Sequence, residues 1–231
     1  MSVRGLLRLV ARGPIPLWEE VRHRAYRWHF ERKLGIATHG IFEQSELGYA
    51  YKDGKLSSPI GYEHVFWALD RIPFPAHEVE MVDFGSGLGR AVAAAAMRPF
   101  KSVTGIELSN MLAERAQRNL AAMRHRQAKD VRIVQGNVLD FEIPATTNVF
   151  YLFNPFDGET LSRTVAKIRD SLAAHPRRAF VIFFNHKHMD REVEGQTWIR
   201  KVYDGQFYPQ YGCGLYEAEA PAAAQRQAAS A

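Results

Sequence analysis

The sequence predicts an α/β fold: a doubly wound, mostly parallel sheet with an antiparallel C-terminal hairpin strand and an N-terminal helical extension. Three observations predict it. From residue 79 onward, short apolar runs alternate with stripes of helical spacing. A glycine cluster, D-F-G-S-G-L-G (83–89), stands where the first run would turn into a helix. Near the C-terminus, Asp204-Gly205 lies between two β-like runs, W-I-R-K-V-Y (198–203) and residues around 206–217, which is a hairpin signal.

Taken in order, residues 14–33 read as a helix. Pro16 suits a first turn, and Trp18, Val21, Ala25 and Trp28 recur at spacings of three, four and three. Residues 36–58, rich in Gly, Tyr and Ser, read as a long loop. Helical spacing returns at Tyr62, Val65, Phe66 and Leu69, and I-P-F-P closes that segment. V-E-M-V-D-F (79–84) is the first strand, and residues 88–97 form a helix stopped by Pro99. V-T-G-I-E-L (103–108) is the second strand. Ser109 caps a helix with the stripe Leu112, Ala116, Leu120 and Met123. V-R-I-V-Q (131–135) and N-V-F-Y-L-F (148–153) are the third and fourth strands. The stripe Leu161, Val165, Ile168 and Leu172 precedes the fifth strand, A-F-V-I-F-F (179–184). Four segments follow: a basic helical extension (1–35), a cap segment (36–77), the sheet domain (78–217) and a tail expected to be disordered (218–231).

Composition narrows the class. The 231 residues are 46% hydrophobic and 24% charged, which suits one α/β domain with an extension. Cys213 is the single cysteine, so neither a disulfide framework nor a cysteine-rich metal site is expected. Apolar runs such as 91–97 and 180–184 are too short to span a bilayer, and the N-terminus lacks the ordered regions of a secretory signal. A cytoplasmic location is expected. The net charge of +5 is concentrated: residues 1–33 carry Arg4, Arg8, Arg12, Arg22, Arg24, Arg27, Arg32 and Lys33 against Glu19, Glu20 and Glu31, eight minus three. Such an arm is a solvated helix packed on the domain, or a peripheral contact with a membrane or an acidic partner. No basic stripe continues into the sheet domain, so no nucleic acid is expected.

Ligands of such sheets bind beyond the carboxyl ends of the strands, and each motif falls at one of them. The first strand runs into D-x-G-x-G-x-G, where glycines let the backbone approach a ligand closely. Arg90 occupies the third-glycine position of the dinucleotide fingerprint G-x-G-x-x-G. The second strand ends in Glu107, 18 residues past Gly89, where a carboxylate can hold two ribose hydroxyls. G-N-V follows the third strand and N-P-F the fourth.

These four elements in this order resemble class I (seven-stranded) S-adenosylmethionine-dependent methyltransferases, over roughly residues 79–217. The resemblance implies a Rossmann-like sheet and S-adenosyl-L-methionine as cofactor. It implies that Asp83, Gly85, Ser86, Gly87 and Gly89 line the amino acid end of that cofactor. Glu107 would hold the ribose with Leu108 beside the adenine. Asn137, where the family often has Asp, and the Val138 N–H would meet the adenine edge. Amino-methylating branches carry N-P-P-Y or a relative after strand four, and there the Asn side chain and an aromatic hold the target nitrogen. Asn154 and Phe156 fit that place, with the second proline missing and the aromatic one residue early. S-S-P-I-G-Y-E (57–63) is similar to the approach segment of seven-stranded protein lysine methyltransferases, which makes Tyr62 a candidate lid aromatic.

The implied activity is N-methylation of a protein side chain, lysine-like, or of a small amine. Two alternatives stand beside it. N-H-K-H-M-D (185–190) could supply a His base, His186 or His188, for a small-molecule O-methyltransferase. The chain could also be a non-catalytic cofactor-binding scaffold. The same H-x-H-x-D stretch lacks the next His of a metallo-hydrolase site, so no metal is expected.

Overall fold

The computed structural model describes residues 14–42, 44–47, 59–185, 187–207 and 211–221. Arg4, Arg8, Arg12, the Ser57-Ser58 pair, His186 and the tail from 222 lie outside the described residues. The helices are α1 (Pro14–Leu34), α2 (Tyr62–Leu69), α3 (Arg90–Ala96), α4 (Asn110–Ala122), α5 (Gly158–Ala174) and α6 (Lys187–Val193). The strands are β1 (Glu80–Phe84), β2 (Ser102–Glu107), β3 (Asp130–Gln135), β4 (Val149–Phe153), β5 (Ala179–Phe184), β6 (Ile199–Phe207) and β7 (Tyr211–Ala218).

They form one seven-stranded sheet in the order β3-β2-β1-β4-β5-β7-β6. The first five strands are parallel, and β7 runs antiparallel to both β5 and β6. Strand alternation divides the core into two layers. Met81, Val103, Tyr151, Ile182 and Phe184 face α2, α3 and α4. Val82, Phe84, Phe150, Leu152 and Phe183 face the Leu161, Val165, Ile168 and Leu172 stripe of α5. Both faces are covered, so β4 and β5 read as unbroken apolar runs rather than alternating ones. The Ser109 hydroxyl caps α4, accepting from the Leu112 N–H at 3.4 Å.

Two expectations need correction. The hairpin forms, but Asp204-Gly205 is not its turn: these residues pair with Gly214 and Cys213 inside the β6–β7 ladder. A Cβ at Gly205 would meet the Tyr203 ring at 2.2 Å, so this glycine makes room for an aromatic in mid-strand. The last pair of the ladder is Phe207 with Tyr211, and residues 208–210 lie outside the described residues. The second correction concerns α1. Its regular stripe is not the packed one: Trp18, Val21 and Trp28 are 66%, 50% and 63% exposed. The packed face carries Phe30, whose ring lies 5.4 Å from Tyr62 and 4.7 Å from Phe66, and the fully buried Leu34.

Candidate active site

A cavity of about 740 Å³, open mouth included, lies beyond the carboxyl ends of β1, β2 and β4. This is the topological switch point, because the chain leaves β1 toward β2 on one side and returns to β4 on the other. Its lining draws on the flagged ends of β1, β2 and β4, and on neither the end of β3 nor that of β5.

The glycine loop forms the floor. Gly85, Gly87 and Gly89 all hold positive φ, at 81°, 55° and 82°. A Cβ on Gly85 would strike Pro155 Cβ at 2.4 Å. The loop after β1 and the N-P-F segment after β4 are therefore interlocked, which accounts for both the glycine and the proline. Gly87 N–H points to Glu107 Oε2 at 2.8 Å, and Ser109 N–H to Oε1 at 2.8 Å. Each carboxylate oxygen is thus fixed by one backbone donor with acceptor capacity remaining. Burial raises the Glu107 pKa, only partly offset by the backbone donors at Ser109, Gly87 and Leu108. Asp83 is buried too, and burial with the Glu107 charge holds its carboxyl well above the usual carboxylate range.

Three polar atoms on the cavity wall are buried without a hydrogen-bond partner: Ser86 Oγ, Tyr151 OH and Asn154 Oδ1. An unmet buried polar group costs about 1–3 kcal/mol, so three around one cavity give it hydrogen-bonding capacity suited to a polar ligand. Asn154 also holds φ 43°, a left-handed conformation tolerated by Asn and uncommon for other non-glycine residues. Burial, followed by the charge of Asp83, pushes the Tyr151 hydroxyl pKa well above its ordinary value.

The other expected residues are dispersed. Leu108 is half-buried, outside the cavity lining, and its carbonyl accepts from Gln135 at 3.1 Å. Asn137 Oδ1 accepts the Leu139 N–H at 2.9 Å, closing a local turn, and Val138 packs into the α5 layer. Phe156 lies in that same core layer rather than on the cavity. Tyr62 is fully buried, hydrogen-bonded to Thr38 Oγ1 at 3.1 Å, and sits beneath the Arg90 guanidinium. His188 does not reach the cavity. Asp190 instead accepts from Tyr216 OH at 2.7 Å and pairs with Lys201 at 2.5 Å.

Among the wall residues that sequence reasoning missed are Thr38, Arg90, Tyr151 and Phe153. Arg90 is 6% exposed and stitches the wall together. Its Nε donates to Thr38 Oγ1 at 2.9 Å, Nη1 to the Ile60 carbonyl at 2.8 Å and Nη2 to the Thr38 carbonyl at 3.1 Å. Glu31 of α1 pairs with Arg90 at 3.5 Å and accepts from both the N–H and the hydroxyl of Thr38 at 2.8 Å. The available signal was an arginine standing where a dinucleotide fingerprint has glycine.

No family model matches the sequence, and no curated protein matches it. Solved structures do. A glycopeptide N-methyltransferase, MtfA, solved with S-adenosylmethionine, superposes with a TM-score of 0.54 at 13% identity, covering 70% of this chain and 94% of that one. A ribosomal protein L11 methylase from Lactobacillus delbrueckii subsp. bulgaricus gives 0.53 at 15% identity, covering 68% and 77%. The tRNA methyltransferase TrmK of B. subtilis gives 0.53 at 13% identity, covering 68% and 65%. These likenesses show the fold: a seven-stranded, Rossmann-like sheet shared with proteins that methylate very different acceptors.

Proposed function

We propose that the chain is an S-adenosyl-L-methionine-dependent methyltransferase that methylates an amine, either a lysine-like protein side chain or a small molecule. The observation that carries this reading is the convergence of Ser86 Oγ, Tyr151 OH and Asn154 Oδ1 on one cavity that the glycine loop and Glu107 also line. The glycopeptide N-methyltransferase of the same fold holds this cofactor in its structure, which supports the same choice here.

The residues fit the cofactor. Glu107, already oriented by two backbone donors, would accept both ribose hydroxyls. Asp83, Ser86 and the glycine loop line the cavity and would face the amino acid end. Leu108, Asn137 and Val138 follow β2 and β3 beyond the cavity lining; there Leu108 would lie beside the adenine, and the Val138 N–H and the remaining Asn137 Oδ1 lone pair would meet its edge. The bound cofactor would supply an electrophilic methyl group on sulfur, so the protein contributes position, orientation and a dry site. Asn154 Oδ1 would accept an N–H of the incoming amine and aim its lone pair. Tyr151 OH and Phe153 border the same approach. No general base is required, because the amine attacks once neutral, S-adenosylhomocysteine leaves with the sulfur lone pair, and the methylated ammonium releases its proton to solvent.

The test is labelled-methyl transfer from the cofactor into a lysate of the source cell, followed by locating the label. Label on nitrogen, stable to mild base and lost with Asn154→Gly, supports the reading. Base-labile ester label, or cofactor binding without any transfer, would replace it with O-methylation or a scaffold role.

A second reading concerns α1. Its outward face presents Trp18, Val21 and Trp28, and Arg32 lies over the Trp28 ring at 5.3 Å. Lys33 and Arg32 close the last turn. Exposed tryptophans beside cations match an anionic membrane surface, where the rings enter the headgroup layer and the cations meet lipid phosphate. Among the described residues no helix is long and apolar enough to cross a membrane.

A further inference from the structure

Away from the cavity, α1 and α2 bring three metal-ligating side chains together. One ring nitrogen from each of His23 and His64 and one carboxylate oxygen of Glu63 all lie within 4.8 Å of one another. The two rings are 5.1 Å apart and tilted by 54°, so their edges converge rather than stack. His64 is 5% exposed and is wedged against the Phe207 ring at 4.5 Å. Both oxygens of Glu63 are buried without a well-formed hydrogen bond, and His23 Nδ1 stands against one of them as an ion pair.

The residue before this pair adds an independent observation. A Cβ on Gly61 would meet Glu63 Oε2 at 2.7 Å and His23 Nδ1 at 2.9 Å. The chain therefore carries no side chain where the donor atoms gather. Any other residue at 61 would fill the space between them.

We propose that His23, Glu63 and His64 form a divalent-cation site of the zinc class that staples α1 to α2. The donor set selects the metal. Two imidazoles and one carboxylate suit borderline ions such as Zn²⁺, whereas Ca²⁺ and Mg²⁺ prefer oxygen alone. Tetrahedral zinc with bonds of about 2.0–2.2 Å needs ligand atoms roughly 3.3–3.5 Å apart, so small side-chain shifts, which part His23 Nδ1 from the Glu63 oxygen it abuts, complete the site. The fourth position is left for water. Its consequence is mechanical: His23 and Glu31 share α1, and Glu31 secures Thr38 and Arg90 on the cavity wall. Fixing the helix at His23 would hold that wall in register.

The experiment uses untagged, full-length protein stripped with a chelator and titrated with ZnCl₂ by calorimetry, with melting temperature followed in parallel. One zinc per chain and a raised melting temperature are expected. Glu63→Gln and His23→Gln should each weaken binding by on the order of 100-fold, beyond the effect of losing a merely supporting contact. His188→Ala should leave it unchanged. Affinity for S-adenosylhomocysteine shows that each variant is folded, and should Glu63→Gln fail that check, His23→Gln on the outer helix decides alone. Failure of the unmodified chain to take up stoichiometric zinc overturns the site and leaves a plain His–Glu ion pair. Equal uptake by the variants overturns it as well.

Discussion

Glu107 offers the sharpest test of the cofactor site. Its carboxylate already accepts from the Gly87 and Ser109 N–H groups, both at 2.8 Å. Two ribose hydroxyls would add two charge-assisted bonds, each contributing about 1.5–3 kcal/mol. Glu107→Gln keeps the shape but replaces one oxygen by an NH₂ that must face a donor on one side. Losing one such bond predicts a fall in S-adenosylhomocysteine affinity of about 10–100-fold. Glu107→Ala removes both and leaves the two backbone donors without their acceptor, so a loss of about 1,000-fold or more is expected. Isothermal titration at neutral pH reads both, and unchanged circular dichroism excludes unfolding. Acid should act in the same direction, because the ribose bonds favour the carboxylate: affinity should fall as pH drops through the raised Glu107 pKa. Affinity of Glu107→Ala within threefold of the native chain would refute the ribose assignment.

Asn154→Gly removes the amide while relieving the positive φ, so it probes the side chain without adding strain. Steady-state kinetics should show kcat/KM for the acceptor reduced by about 10–100-fold with cofactor affinity intact; full turnover would remove Asn154 from the acceptor site. Asp83 bears on stability. Its folded pKa lies above the unfolded value, so the native state holds the extra proton and stability falls as pH rises from the unfolded to the folded pKa. Asp83→Asn should therefore raise the melting temperature at neutral pH by about 2–4 °C per kcal/mol of relieved burial, with the gain vanishing below about pH 4; a lower neutral-pH melting temperature would contradict this. For the outer face of α1, Trp18→Ala and Trp28→Ala should each weaken binding to phosphatidylserine vesicles by about tenfold in a flotation assay, with neutral vesicles binding poorly throughout.

The sheet was legible because each parallel strand is a short apolar run between helical stripes. The glycine loop and Glu107 were legible because ligand chemistry requires those residues at fixed distances from strand ends. Tyr151 was not: β4 is apolar on both faces, so nothing in F-Y-L-F tells which ring meets the cavity. Phe156 reads as a substrate aromatic by its place after N-P, yet the chain after Pro155 turns it into the α5 layer. Helix α1 carries two apolar faces, and the more regular one is exposed, because packing selects the face that fits Tyr62 and Phe66 rather than the one with the better period. Helix α6 escaped notice since Met189 is its one buried residue among seven.

The Glu31–Thr38–Arg90 lattice has a consequence for how the chain can be dissected. The N-terminal helix is not an exchangeable address label: its last two turns hold Glu31 against the wall of the cavity and Leu34 in the core. Truncating it would leave Arg90 short of an anionic partner and loosen the two loops that Arg90 ties. The membrane contact proposed for its outer face and the wall of the cavity thus share one helix, and surface substitutions on that face are the way to probe one without the other.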